Sequence, residues 1–218
     1  MGEHGDLVLK YAPRIYFDEA EPFPLAGIGT TIFTSGGESP SFGRKVVLPE
    51  EAELAIEYAY FWDYDIEHLY DLEHIWIYID KNGRVIDAEA SFHGRYFKAL
   101  LPFVQPALEE THLNIYCQPG KHAFLPRDEW FQLLPNFISC CSESAGSAGL
   151  LVNDLFAKYL PKDNKTDEAV MRYIKARFSF VPTLCFSPIL PDSSLYMPWA
   201  ELFSLIPRRL EAQLDLIL

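Results

Sequence analysis

Between Asp63 and His74 the chain reads Asp-Tyr-Asp-Ile-Glu-His-Leu-Tyr-Asp-Leu-Glu-His, a run dense in carboxylates with two imidazoles. His93 follows in Ser91-Phe92-His93, and His122 in Gly120-Lys121-His122-Ala123-Phe124. Imidazole with carboxylate is a ligand set for a first-row divalent metal, whereas carboxylates alone suit calcium or magnesium. Asp71 and Glu73 are two apart, so a strand would project both from one face. The spacing therefore nominates Asp71, Glu73 and His93 as ligands of a divalent metal (zinc, calcium or magnesium). His122 and His68 are nominated as further ligands or as general acid and base. A cation held there lowers the pKa of water and polarises a phosphoryl or carbonyl oxygen, the chemistry of a metal-dependent hydrolase. Two other readings stay open. The same cation could present a sugar or lipid headgroup to a non-catalytic module, or the charges could simply solvate a sheet face. Clustered ionisable groups are candidates for a site, although each taken singly is most often solvated. His4 and His112 have no such context.

These residues need strands to position them. Ile56, Tyr58, Tyr60 and Trp62 alternate with the period of a strand. Leu72 to Ile79 and Arg84 to His93 flank Asp80-Lys81-Asn82-Gly83, a strong hairpin signal. That tetrapeptide suits a type I turn followed by a left-handed glycine, a three-residue loop with a bulge. The register then pairs Asp80 with Arg84, Glu73 with Ser91, Asp71 with His93, Leu72 with Phe92 and Trp76 with Ala88. Ile75 and Ile77 fall on the carboxylate side. A two-residue Asn-Gly turn would instead put Asp71 and Glu73 with Phe92 and Ala90. Shorter strands are expected at Arg14–Phe17, Ile28–Phe33 and Thr111–Cys117, after a helical turn at Asp6–Tyr11. Beyond Pro126 the pattern turns helical, over Arg127–Cys141, Leu150–Leu160, Asp167–Phe178 and Trp199–Leu218. Asp128 and Thr166 are candidate caps, and Pro207 is expected to kink or split the last helix. Strands first and helices later give an α+β fold: an antiparallel β-sandwich over 1–126 carrying the site, and a mainly helical extension over 127–218 packed on it.

Composition narrows the partners. With 218 residues, 49% hydrophobic and 22% charged, the chain can bury a sizeable core. A net charge of −13 repels phosphate backbones and anionic membranes, so nucleic acid is excluded as a partner and a small-molecule, sugar or lipid-headgroup ligand is favoured. No apolar run is long enough to span a bilayer, and the N-terminus lacks the basic and apolar regions of a signal peptide. Asp6 stands where N-myristoylation wants Ser or Thr. Cys117, Cys140, Cys141 and Cys185 fit no zinc motif, and adjacent cysteines rarely pair, so reduced thiols in a cytoplasmic protein are expected. Searches for dinucleotide, Walker, zincin and nucleophile-elbow motifs are negative.

The order of Tyr58-Ala59-Tyr60-Phe61-Trp62, Asp71-Leu72-Glu73-His74-Ile75-Trp76, Ser91-Phe92-His93 and Lys121-His122-Ala123-Phe124-Leu125-Pro126 resembles the necrosis-inducing-protein-like superfamily, which includes plant-toxic cytolysins and vacuolar-protein-sorting-like proteins. The family hallmark is Gly-His-Arg-His-Asp-Trp-Glu. Here Glu67-His68-Leu69-Tyr70-Asp71-Leu72-Glu73 keeps the first His, the Asp and the Glu, and replaces the Gly, Arg, second His and Trp. The resemblance runs from Tyr11 to Pro126, about half the chain. It implies a β-sandwich with a divalent cation held by Asp71, Glu73, an upstream Asp63 or Asp65, and His68. In the cytolysins this site recognises sphingolipid headgroups. The absence of a signal peptide and of a disulfide plan points away from a secreted toxin.

Overall fold

The computed structural model describes residues 3–151, 155–160 and 162–218. A short helix α1 (Glu3–Lys10) leads into strands β1 (Arg14–Asp18) and β2 (Leu25–Phe33). A small hairpin of β3 (Gly37–Glu38) and β4 (Lys45–Val46) follows. The long strands β5 (Ala52–Tyr64) and β6 (His68–Asp80) come next, then β7 (Val85–Phe92), β8 (Arg95–Lys98), β9 (Leu108–Glu109), β10 (His112–Cys117) and β11 (Phe124–Leu125). The remainder carries β12 (Gly149–Leu150), α2 (Asn164–Phe178), β13 (Phe186–Ile189), β14 (Tyr196–Pro198) and α3 (Trp199–Ile217).

A large sheet orders β14-β2-β5-β6-β7-β8, with β12 added beside β6, and a small sheet orders β11-β10-β1-β13, with β9 on β10. Their apolar side chains meet in one core: Ile15, Leu113, Ile115 and Phe124 from the small sheet, and Ile28, Tyr58, Tyr60, Ile75 and Ile77 from the large one. The arrangement is mixed α/β and sandwich-like. It is not purely antiparallel, because β1–β10, β6–β12 and β2–β14 are parallel pairs. On the outer face of the large sheet α3 covers β2, and a second cluster of Phe33, Val46, Trp76 and Tyr78 lies under the β3–β4 hairpin. Among the described residues no helix is long and apolar enough to cross a membrane.

The region after Pro126 is helical only in part. Arg127–Cys141 forms only two 3₁₀ pieces, Asp128–Leu133 and Ser139–Cys141, separated by a segment holding Pro135, which has no N–H for an α-helical ladder. Residues 155–160 of the expected second helix are turns, and 152–154 lie outside the described residues. Three strands, β12, β13 and β14, add themselves to both sheets. They are two to four residues long, too short to show alternation. The third and fourth helices form as expected. Asp163 caps α2 by accepting from the Thr166 N–H, in place of Thr166 itself. The α3 assignment runs unbroken through Pro207.

The β6–β7 loop forms as its sequence suggests, with Asp80 N–H on the Arg84 carbonyl at 2.9 Å and Gly83 at φ 75°. The register beyond it differs. Ile79 pairs with Val85 but Tyr78 with Asp87, so Ile86 is an extra residue. One inserted residue moves every partner by one place and exchanges the faces. Trp76 faces Glu89, and Ile75 faces Ala90. Asp71 and Glu73 therefore share the face of Ile75, Ile77, Ala90 and Phe92, not that of His93. They continue the core face of β6 at the end where apolar neighbours give out. His93 is not a strand residue: with Gly94 it makes a two-residue turn between the paired Phe92 and Arg95, at φ 50° and 76°.

Close packing of α3 on β2 depends on Gly29, where an added Cβ would sit 2.8 Å from Trp199 Cε3 and 2.9 Å from Leu202 Cδ2. Gly29→Ala is expected to cost ~1–3 kcal/mol through overpacking. Gly43→Ala, where a Cβ meets nothing within 4 Å, should stay within about 0.5 kcal/mol of wild type. Urea denaturation of both variants checks the pair, and equal losses would refute the α3–β2 contact.

Candidate functional site

Five segments converge on a cleft of about 730 Å³. The β3–β4 connection gives Ser39 to Gly43, and the end of the β5–β6 hairpin gives Asp65 and His68. The early part of β6 gives Tyr70 to His74, the β7–β8 turn gives His93 and Gly94, and the β10–β11 turn gives Lys121. Leu151 and Leu155 complete the lining. The volume falls within the usual range for small-molecule sites. Among the described residues, Tyr70, His93 and His122 are three of five non-glycine residues with positive φ, a conformation that costs free energy and concentrates at functional sites.

His122 stands behind the lining, with no exposed surface. Its Nδ1 donates to Asp71 Oδ2 at 3.1 Å, and its Nε2 lies 3.6 Å from Glu21 Oε1. Its ring stacks on Trp62 at 4.2 Å with 3° between planes. Trp62 pairs with Asp71 across β5–β6, which brings indole and carboxylate to the same face. Burial opposes charge on the imidazole, but the hydrogen bond to Asp71 and the charges of Glu21 and Asp71 outweigh it, and its pKa is pushed up to about 9. Burial likewise opposes ionisation of Asp71, yet the His122 hydrogen bond and the charges of His122, His68 and Lys121 hold its carboxyl below the usual value.

Glu73 goes the other way. Burial and the neighbouring Asp71 charge push its pKa up to about 8, against hydrogen bonds from Ser91 and the His93 amide. Ser91 Oγ contacts Glu73 Oε2 and accepts the His74 N–H at 2.5 Å. Two carboxyls on one strand face thus differ: Asp71 favours its ionised form, and Glu73 is biased toward its neutral form. His74 is neutral, its pKa lowered by burial to about 3. Its Nε2 lies 3.0 Å from Ser41 Oγ, which donates to Glu57 Oε1 at 2.6 Å, while Trp76 Nε1 donates to Glu57 Oε2 at 2.7 Å. This chain ties the Ser39–Gly43 wall to the sheet.

Asp65 accepts from the Glu67 and His68 amides through Oδ1 and pairs with Lys121 Nζ at 2.6 Å through Oδ2. Burial opposes the charge of Lys121, but Asp65, Glu67 and Asp71 prevail and raise its pKa. His68 Nδ1 donates to the Tyr70 carbonyl at 2.8 Å. His93 Nε2 lies 2.9 Å from Gln118 Oε1. Asp63 does not join the cleft. Its oxygens grip Arg209 on α3 at 2.8 and 2.5 Å, a bidentate pair that pins the helix to β5.

The expected ligand residues therefore separate. Asp65, His68, Asp71, Glu73 and His93 line one cleft, His122 supports Asp71 from behind, and Asp63 is structural. The cation set implied by the resemblance does not fit this arrangement. Asp63, Asp65 and Asp71 each have a cation of the chain itself, Arg209, Lys121 and His122, and Glu73 favours its neutral form. Among the described residues no group of three or more His, Cys, Asp or Glu could hold a metal ion. The sequence reading missed Lys121, Ser41 and Glu21 as functional neighbours. Lys121 adjoins a nominated His in a Gly-containing turn, which was a usable signal. Ser41 and Glu21 lie in loops far from the motif and give none.

No protein-family model matches the chain, and no curated relative is similar to it. Solved structures of necrosis-inducing proteins share part of its shape. Necrosis and Ethylene inducing Protein 2 from the causal agent of cocoa's Witches Broom disease has a TM-score of 0.35 at 18% identity, over 54% of this chain and 66% of that one. NLPPya in complex with glucosamine has a TM-score of 0.36 at 16% identity, over 55% of this chain and 64% of that one. NLPPya in complex with mannosamine has a TM-score of 0.36 at 17% identity, with the same coverage. The chain spans less than two thirds of the length of these structures.

The opposed carboxyls set a pH dependence. Glu73 is raised from 4.5 to about 8, so its contribution to stability is full below pH 4.5 and is lost as pH rises through 8. His122, raised from 6.5 to about 9, contributes fully below 6.5 and loses its effect as pH rises through 9. Stability should decline from pH 4.5 to 8, and Glu73→Gln should flatten that decline. Denaturant midpoints across this range check it, and parallel profiles for the two proteins would refute the assignment to Glu73.

Proposed function

We propose that the chain is a recognition module whose cleft binds the polyhydroxylated headgroup of a sugar or sugar-bearing lipid without transforming it. The observation that carries this reading is the mixed polarity of one small cleft. An ionised acceptor at Asp71, a carboxyl biased toward its neutral form at Glu73 and an ammonium at Lys121 line it together with Phe42, Leu151 and Leu155. A sugar ring offers the matching surface, since its hydroxyls both donate and accept while its C–H faces pack on apolar side chains. A site with a few placed polar groups and an apolar remainder is the usual form for small ligands. In this reading Lys121 and His122, rather than a divalent cation, balance the carboxylates, and water-activating chemistry is not required.

Calorimetric titration with glucosamine and mannosamine, the sugars bound in two of the similar structures, tests the proposal, with glucose as a neutral probe. Saturable binding of at least one is expected. Asp71→Asn and Lys121→Met should each weaken it roughly tenfold or more, the effect of losing a charge-assisted hydrogen bond worth about 1.5–3 kcal/mol. Asp63→Asn should lower the melting temperature and leave affinity unchanged. Folded protein that binds none of the three sugars would overturn the reading. Binding abolished by a chelator and restored by magnesium, calcium or zinc would replace it with recognition through a cation.

A further inference from the structure

Cys140 and Cys141 are consecutive, both buried, with their sulfurs 3.8 Å apart. They lie in the 3₁₀ piece Ser139–Cys141 and pack under the turn that connects β10 to β11. Cys141 Sγ lies 3.2 Å from the Pro119 carbonyl, and a side chain at Gly120 would meet the same sulfur at 3.2 Å. That turn supplies Lys121 and His122, whose amides both bond to the Gln118 carbonyl, at 3.2 and 2.9 Å. The cleft mechanism uses neither thiol. We propose that this pair is a redox modification site. A low-molecular-weight disulfide oxidises the two thiols to a vicinal bridge, and the bridge loosens the Gln118–His122 turn that holds the carboxylates of the cleft.

The chemistry balances as two exchange steps. Cys140 thiolate attacks one sulfur of the small disulfide, forming a mixed disulfide and releasing one thiolate. Cys141 then loses its proton and attacks Cys140 Sγ, forming the vicinal bond and releasing the second thiolate. The small disulfide gains two electrons, and the two thiol protons pass to the released thiolates. The order follows from the surroundings. The adjacent Cys141 sulfur, 3.8 Å away, and the charge of Lys121 hold the Cys140 thiol below its usual pKa against burial. The adjacent Cys140 sulfur and burial push Cys141 up, and its thiol donates to the Pro119 carbonyl.

Closure brings the sulfurs to a bond length of ~2.0 Å, so Cys141 Sγ must leave Pro119. Adjacent α-carbons are only ~3.8 Å apart, shorter than the spacing of ordinary disulfides. The ring is strained, and strained bridges are the readily reduced, regulatory kind. Burial slows the reaction without forbidding it, because the 128–141 segment is 3₁₀ and turn structure outside both sheets, tied at Cys141 by the Phe180 amide and the Pro119 carbonyl, and opens more readily than a sheet ladder.

The test uses the full chain with Cys185→Ser, which removes the exposed thiol. The protein is incubated with oxidised glutathione, mapped by peptide mass, and followed by hydrogen exchange. The expected result is loss of two hydrogens from the peptide carrying Cys140 and Cys141. The Lys121 and His122 amides should then exchange at least about tenfold faster, with reversal by dithiothreitol and unchanged exchange in β5 and β6. Adding Cys141→Ser should abolish both changes. No 140–141 bridge, a bridge with unaltered exchange in the turn, or equal acceleration throughout the sheets would each overturn the proposal.

Discussion

A protonated imidazole held between two carboxylates joins the two sheets. His122 comes from the β10–β11 turn of the small sheet, Asp71 and Trp62 from the large sheet, and Glu21 from the link between β1 and β2. Taking charges out of water is costly, and the mutual attraction repays it only when the geometry is good and remaining donors are satisfied. The indole face against the ring and the Asp71 hydrogen bond stabilise the charge, while Nε2 faces Glu21 at 3.6 Å as an ion pair without a hydrogen bond among the described residues. The position of Asp71 in the cleft is thus set from behind, by a group no ligand can touch.

The same accounting governs the other acids. The chain carries 31 Asp and Glu against 18 Lys and Arg, so cations serve only some of its buried carboxylates. Lys121 answers Asp65, His122 answers Asp71, and Arg209 answers Asp63. Glu57 is served by neutral donors, Ser41 and Trp76. Glu73 has no cation in hydrogen-bond contact and is biased toward its neutral form by its surroundings. This division separates residues that look alike in sequence: five carboxylates between Asp63 and Glu73 end in four different roles.

The strands and the β6–β7 loop were legible because alternation and turn chemistry are local. The register was not. A single bulge at Ile86 exchanges the faces, and Ile75 and Ile77, anomalous under the expected pairing, were the trace of it. His93 was read as a strand residue because a left-handed histidine leaves no mark in composition. Asp63 and Asp65 were indistinguishable by spacing. What separates them is Arg209, 146 residues from Asp63 along the chain. The later strands were hidden by their shortness and by Pro188 and Pro198, which break the usual strand signature.

Those late strands also close one side of β1 and one side of β2. The meander β2-β5-β6-β7-β8 closes through neighbours in sequence, apart from the β3–β4 hairpin. The free side of β1 is covered only by residues 186–189, and the free side of β2 only by 196–198. Unpaired edges recruit other strands, so residues 186–189 and 196–198 act as guards that keep β1 and β2 from pairing with strands of other molecules.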